Sequence, residues 1–201
     1  MDLITEAGDL QEYLAELEEV DYNHPLIREK ATELFAGAKN EIEIVRTAFE
    51  YVRDRFPHSF DIQAVRVTCR ASEVLYYGHG ICYAKANLLA ALLRSRGIPT
   101  GFCYQRLTRG DIPDTGYCIH ALNGIYLQSL DRWIRLDARG NKDGVDAQFS
   151  VDEERLAFPV RPEYAEQDFP VIYTRPHPVT IKALRESSDC SALYENQPEH
   201  F

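Results

Sequence analysis

Residues 78–99 read Gly-His-Gly-Ile-Cys-Tyr-Ala-Lys-Ala-Asn-Leu-Leu-Ala-Ala-Leu-Leu-Arg-Ser-Arg-Gly-Ile-Pro, and they form an apolar segment bounded by glycines. A glycine-bounded loop precedes a segment from Ile81 to Leu93 that is apolar at nearly every position. A helix that is apolar all round is typically a buried one. Gly97 suits the left-handed residue just beyond a helix end, and Pro99 prevents the helix from continuing. The stretch therefore predicts a central, buried helix that begins at about Ile81.

Cys82 lies in the first turn of this predicted helix. The unpaired N–H groups and the helix dipole at that end favour a thiolate over a thiol. Gly78 and Gly80 carry no side chains that would block a ligand from the backbone beside the sulfur. Free cysteine is also among the most frequently buried residue types, so Cys82 is a candidate nucleophile only if the chain supplies a base for it.

The bulk composition excludes several classes of protein. A net charge of −10 argues against nucleic-acid binding, which needs a basic face, and against an anionic membrane surface. The first residues lack the basic start and apolar run of a signal peptide, and no stretch approaches the roughly 20 apolar residues of a membrane span. We therefore predict a cytoplasmic protein that forms one domain over residues 1–201 and needs no cofactor.

The five cysteines are odd in number and widely spaced, without a CxxC pair. A disulfide framework and a structural zinc site are therefore not indicated, and a single reactive thiol is the more natural reading. A metal site built from His79, Cys82 and His120 would lack a close-spaced pair of ligands. We predict no metal.

The predicted elements run from helices to strands along the chain. Helical spacing and end signals predict helices over 8–19, from Pro25 to near Gly37, from Asn40 to Pro57, over 71–77 and over 178–186. Residues rich in β-branched and aromatic side chains predict strands over 100–108, 116–127 and 131–137, and near 171–173. Residues 187–201 are polar and predicted to be frayed. This order indicates an α+β fold, with N-terminal helices and the buried nucleophile helix packed on an antiparallel sheet.

His120 is the best candidate for the base because it lies in the middle of an otherwise apolar strand. His79 is only three residues from Cys82 across a loop, which makes an awkward geometry for a base. The remaining histidines lie at a helix start, in loops or in the tail: His24, His58, His177 and His200.

A carboxylate partner for His120 depends on where its strand turns. A two-residue turn at Gln128-Ser129 would set His120 opposite Asp137, within reach of a hydrogen bond. In that register Gly124 would face Trp133 and make room for its ring.

A competing turn at Asn123-Gly124 is a strong local hairpin signal. It would place His120 opposite Leu127 and leave it without a carboxylate. The periodicity of the residues does not choose between the two turns.

Two parts of the chain resemble the transglutaminase-like superfamily. Residues 80–84 together with 92–99 resemble its nucleophile helix. Residues 120–127 together with 132–137 resemble its paired strands, which carry a histidine and an aspartate. The resemblance covers about residues 45–140, and we interpret the segments on either side as an N-terminal helical extension and a C-terminal extension.

The resemblance implies a papain-like core with a catalytic triad of Cys82 as nucleophile, His120 as general base and acid, and Asp137 as the orienting carboxylate. It also implies the turn at Gln128-Ser129. The family's strand often carries an aromatic residue two positions after the histidine, where this chain has Leu122.

The implied activity is acyl transfer from a peptide or amide substrate through a thioester. The oxyanion would be held by the backbone N–H of Cys82 and by a second donor. Tyr76 and Tyr77 are candidates for that donor, although an aromatic pair before a core helix more often serves packing. The superfamily includes transglutaminases, peptidases, amidases and members without activity. Hydrolysis and transamidation therefore both stay open, and the alternative is a catalytically silent interaction domain.

Overall fold

A computed structural model describes residues 1–110 and 112–201 of the chain. The described residues form these helices: α1 (Pro25–Leu34), α2 (Glu41–Arg55), α3 (Ala71–Tyr77), α4 (Cys82–Arg94), α5 (Pro178–Glu186) and α6 (Cys190–Glu195). They form these strands: β1 (Ile4–Thr5), β2 (Thr100–Thr108), β3 (Tyr117–Leu127), β4 (Arg132–Leu136), β5 (Gln167–Asp168) and β6 (Val171–Ile172). Helices α1 to α4 precede the strands of an antiparallel sheet, and the predicted α+β class is confirmed.

Helix α4 is the centre of the core, as its sequence predicts. All 13 of its residues are buried, and it packs against α2, α3 and β3. Its last residue, Arg94, is buried but satisfied, because its guanidinium donates to the carbonyl oxygens of Ala15, Thr100 and Thr174. Each fully buried leucine side chain of α4 stabilises the fold by about 1.5–3 kcal/mol relative to leaving it exposed. Cys82 therefore lies on a helix that is firmly packed in the core.

The main sheet has the strand order β4-β3-β2-β5, with every neighbouring pair antiparallel. The predicted hairpin between β3 and β4 exists, but its predicted register is wrong by two residues. Asn123 pairs with Leu136 and Leu127 pairs with Arg132, so residues 128–131 make a four-residue turn. A shift of two keeps every side chain on its predicted face, because the side-chain period of a strand is two.

The longer turn is held by a contact that is distant in sequence. The carboxylate of Glu41, the first residue of α2, accepts hydrogen bonds from the backbone N–H groups of Gln128 and Ser129 at 3.0 and 3.1 Å. Asp131 takes the left-handed conformation with a φ of 50°, which closes the turn. Neither feature has a local signal strong enough to distinguish it from a two-residue turn.

Asn123 and Gly124 lie in the middle of β3 rather than in a turn. The Asn123 amide donates to the carbonyl oxygens of Ala86 and Gly101 at 3.2 and 3.1 Å, which fastens the strand to α4 and β2. Gly124 does not face Trp133, contrary to the prediction. It pairs with Gly101 on β2, and Ile172 packs where their side chains would be.

The two ends of the chain differ from the sequence prediction. The helix predicted over 8–19 is reduced to a 3-10 turn over Leu10–Leu14, because Tyr13 is drawn into the core and donates to the carbonyl oxygen of Ile172 at 3.0 Å. Strand β1 then pairs with β6 in a separate parallel pair.

The C-terminal residues are docked rather than frayed. The Ile119 N–H donates to the Pro198 carbonyl at 2.8 Å. Arg109 donates to the carbonyl oxygens of Tyr194, Glu195 and Gln197. These hydrogen bonds act together with apolar packing, since Leu193 of α6 is buried in the core and the Phe201 ring packs against Tyr104.

Candidate active site

Cys82 is the first residue of α4 and its side chain is almost enclosed, with 5% of the residue exposed. The backbone just before it runs alongside the segment that follows α2. The Gly80 N–H donates to the Pro57 carbonyl, and the Ser59 N–H donates to the Gly80 carbonyl at 3.2 Å. This pairing brings His58 beside the start of α4.

His120 lies on β3 and its Nε2 is 2.7 Å from Oδ2 of Asp137, the residue that follows β4. Extending the observed pairing by one residue sets Asp137 opposite Leu122, so His120 and Asp137 are diagonal neighbours on one face. The sequence prediction that these two side chains meet is therefore correct, although they are not directly opposite. The edge of the Phe158 ring covers the imidazole, with ring centroids 5.1 Å apart.

Asp137 is held by two backbone N–H groups in addition to His120. Oδ1 accepts from Arg139 at 3.1 Å and Oδ2 accepts from Ala157 at 3.2 Å. Although burial opposes the charge, the neighbouring imidazolium and these hydrogen bonds lower the pKa of the Asp137 carboxyl. The carboxylate therefore stays ionised inside the protein.

Electrostatics at His120 favour its cation. Burial disfavours the charged imidazolium, but the negative charges and hydrogen bonds of Asp137 and Cys82 outweigh it and raise the pKa of His120 to about 10. Because Nε2 is taken by Asp137, Nδ1 is the nitrogen left for the thiol. The structure thus brings together all three predicted residues, Cys82, His120 and Asp137.

The other cysteines lie in less favourable surroundings for a thiolate. All five cysteines are free thiols. Burial raises the pKa of the remaining four, to about 11 at Cys69, to about 12 at Cys103 and Cys118, and above the ordinary value at Cys190.

His58 was not among the site residues predicted from the sequence. Its Nε2 accepts a hydrogen bond from the Cys82 backbone N–H at 3.2 Å, and only 7% of the residue is exposed. Its buried Nδ1 has no hydrogen-bond partner among the described residues. Burial, reinforced by the positive charge of Arg139, holds the pKa of His58 well below its ordinary value, so the ring is neutral. The only sequence signal was its position after Pro57, where α2 ends.

The structure does not bring the two tyrosines to the sulfur. Tyr76 and Tyr77 are 71% and 42% exposed, pack edge to face on each other, and are not among the residues that line the cleft over Cys82. His79 is also turned away, since its Nδ1 hydrogen-bonds the Ser59 hydroxyl at 2.9 Å. Over residues 1–110 and 112–201, no group of three or more His, Cys, Asp or Glu side chains is arranged to hold a metal ion.

Lys85 links three segments of the site from one turn beyond Cys82. Its buried ammonium donates to the carbonyl oxygens of Arg53, Phe56 and Arg139. Burial and the charge of Arg139 lower the pKa of Lys85 to about 7. These hydrogen bonds tie the segments that carry His58 and Asp137 to the nucleophile helix.

A cleft of about 710 Å³ is lined by Cys82, His58 and His120. This volume lies within the range of small-molecule sites. Asp61 on its wall accepts from Arg139 at 2.6 Å and from Lys142 at 2.7 Å. Further charged residues in the wall are Arg109, Asp143, Arg161 and Glu166. Apolar side chains such as Phe60, Leu107 and Phe158 also line the cleft, so its wall combines charged and apolar groups beside Cys82 and His120.

None of the helices in the described part of the chain is both long and apolar enough to span a membrane. No curated protein matches the sequence. A solved structure from Cytophaga hutchinsonii, described as a "putative cysteine protease", is 18% identical with a TM-score of 0.54, and the match covers 66% of this chain and 43% of that one. A second, from Parabacteroides distasonis and described as a "putative protease", is 17% identical with a TM-score of 0.40, over 75% of this chain and 30% of that one.

The matched region is therefore less than half the length of either solved chain. The likeness to the Cytophaga protein shows a shared fold. The family model for the transglutaminase-like superfamily matches residues 28–138, which is more than half of the chain and includes α2 to β4. The chain belongs to the transglutaminase-like superfamily.

Proposed function

We propose that this protein is a cysteine-dependent acyl-transfer enzyme that cleaves an amide bond through a thioester on Cys82. The observation that carries the proposal is the arrangement around His120. One ring nitrogen lies 2.7 Å from the Asp137 carboxylate, the imidazole also interacts with Cys82, and both His120 and Cys82 line the cleft. A nucleophile, a base and a group that orients the base are the parts that such chemistry needs.

In the first half of the reaction the Cys82 sulfur, whose proton has passed to His120, attacks the carbonyl carbon of the amide. A C–S bond forms, and the π electrons of the carbonyl move to its oxygen. When this oxyanion collapses, the C–N bond breaks, and the leaving amine takes a proton from the His120 imidazolium. Asp137 holds the imidazole in one orientation and stabilises its charge.

In the second half a water molecule or an amine attacks the thioester, and His120 takes the proton of this nucleophile. The C–S bond breaks, and the thiolate returns. Water gives hydrolysis and an amine gives transamidation. Peptides and other amides are the substrate class we propose, and the cytoplasmic location stays a prediction from the sequence.

The test is a panel of peptide and amide substrates, each with and without an added primary amine, with Cys82→Ala as the control. We expect product from the wild type only, and mass spectrometry distinguishes hydrolysis from transamidation. Acylation of Cys82 by p-nitrophenyl acetate, followed through release of p-nitrophenolate, provides a readout that needs no knowledge of the natural substrate. A wild type that behaves like Cys82→Ala in both assays would favour a silent interaction domain.

A further inference from the structure

His58 accepts the hydrogen bond of the Cys82 backbone N–H, the same group that an oxyanion formed at Cys82 would need. That N–H belongs to the first residue of α4 and has no partner inside the helix. It donates to Nε2 of His58 at 3.2 Å. A nitrogen that accepts a hydrogen bond carries no proton, so the single N–H of this neutral ring is on Nδ1.

The resting arrangement leaves that proton without an acceptor. Nδ1 of His58 is buried and has no partner in the described part of the chain. A buried N–H without an acceptor is unfavourable, and such orphaned donors are rarer in proteins than acceptors that lack a donor. The ring would be better satisfied with its proton on Nε2, provided that an acceptor replaced the Cys82 N–H there.

We propose that His58 is the second oxyanion donor of the site. This inference rests on the acyl-transfer function proposed above. The substrate oxygen accepts from the Cys82 N–H in place of Nε2 of His58, and the ring then carries its proton on Nε2 and donates it to the same oxygen. The change releases one proton from Nδ1 and binds one at Nε2, exchanged through water in the cleft, so the charge of the ring is unchanged. The oxyanion receives two N–H donors, and Nδ1 becomes an acceptor.

Other histidines in the chain show what a purely capping histidine looks like. His24 and His177 accept from Leu26 and Val179, two residues further along the chain, through Nδ1 at 3.3 and 3.4 Å. His58 instead acts through Nε2 on a residue 24 positions away, and it lines the cleft with Cys82 and His120. A cap has no need to line the cleft beside the nucleophile, whereas an oxyanion donor must do so.

The experiment compares acylation of Cys82 with a reaction that forms no oxyanion. Acylation by p-nitrophenyl acetate passes through a tetrahedral oxyanion, whereas disulfide formation with methyl methanethiosulfonate does not. His58→Phe keeps a flat ring and removes the donor, and His58→Gln keeps an N–H donor. We expect His58→Phe to slow acylation about 10²-fold, the usual cost of one oxyanion-hole donor. We expect His58→Gln to recover most of that loss, and both variants to react with the thiosulfonate as fast as the wild type.

His24→Phe is the matched control, because it removes a histidine cap from an exposed helix start and should change neither rate. Should His58→Phe not fold, as judged from its melting curve, His58→Leu makes the same comparison with a smaller side chain. Acylation of the donor-free variant at the wild-type rate would overturn the inference. So would equal slowing of both reactions, or a Gln variant no faster than the donor-free one. If the wild type and Cys82→Ala release p-nitrophenolate equally, the proposed function fails instead, and the inference with it.

Discussion

Replacing Asp137 with asparagine removes one negative charge from the centre of the site and barely changes its shape. The three groups that face this carboxylate are all N–H donors: His120 Nε2, the Ala157 N–H and the Arg139 N–H. An amide has one oxygen and one NH₂, so it cannot accept from all three. The better orientation keeps the oxygen towards His120 and turns the NH₂ against the Arg139 N–H.

The loss of charge sets the size of the expected effect. The Asp137 carboxylate is the largest influence that raises the pKa of His120 from 6.5 to about 10. Without it the His120 imidazolium is no longer stabilised, and comparable exchanges in catalytic triads lower turnover by about 10⁴-fold. The buried Arg139 N–H left without an acceptor costs about 1–3 kcal/mol. A domain of this size loses about 2–4 °C in Tm for each kcal/mol.

The assay is the rate of Cys82 acylation by p-nitrophenyl acetate, measured beside a melting curve. Asp21→Asn is the matched control, since the Asp21 carboxylate also accepts from a backbone N–H, that of Ser72 at 3.0 Å, but does not line the cleft. It should lose stability and keep its rate. An Asp137→Asn variant that is folded at the assay temperature and acylates within about tenfold of the wild type would remove Asp137 from the triad, because a true triad exchange costs far more.

Three further predictions test the thiol, the protonation of the base and the packing of the sheet. Iodoacetamide at about pH 6, well below the ordinary thiol pKa, should label Cys82 before the other four cysteines. The variant His120→Ala should slow the labelling of Cys82 selectively. If mass-spectrometric mapping finds another cysteine labelled first, the Cys–His pair is contradicted. Because folding raises the pKa of His120 from 6.5 to about 10, its stabilising contribution is complete below pH 6.5 and lost as the pH rises through 10. The gap in unfolding free energy between the wild type and His120→Ala should therefore narrow over that range in urea titrations, and a constant gap would mean that the imidazole is neutral. Gly101→Ala would put a methyl group 2.5 Å from a side chain of β6 and should cost about 1–3 kcal/mol or more, whereas Gly8→Ala, with open space around it, should melt like the wild type.

Several features of this protein follow from its sequence because their signals are local. The apolar run and its end signals determine α4, and Asn40, at the predicted start of α2, caps that helix by accepting from the Glu43 N–H. The alternation of residues in β3 and β4 determines which face each side chain takes. The family resemblance favoured the hairpin that places His120 and Asp137 on one face, and the error of two residues in register left that placement unchanged.

The register of β3 and β4, and the partners that complete the candidate active site, depend on contacts between residues that are distant in sequence. Glu41 selects the longer turn from 87 residues away, and the backbone pairing beside Gly80 brings His58 to Cys82 from 24 residues away. The Ala157 N–H that helps to hold Asp137 comes from a segment with no regular structure. Each of these hydrogen bonds has a backbone N–H as one partner, a group that every residue except proline carries. Which N–H is used depends on where the chain passes and leaves no pattern in the residues around it.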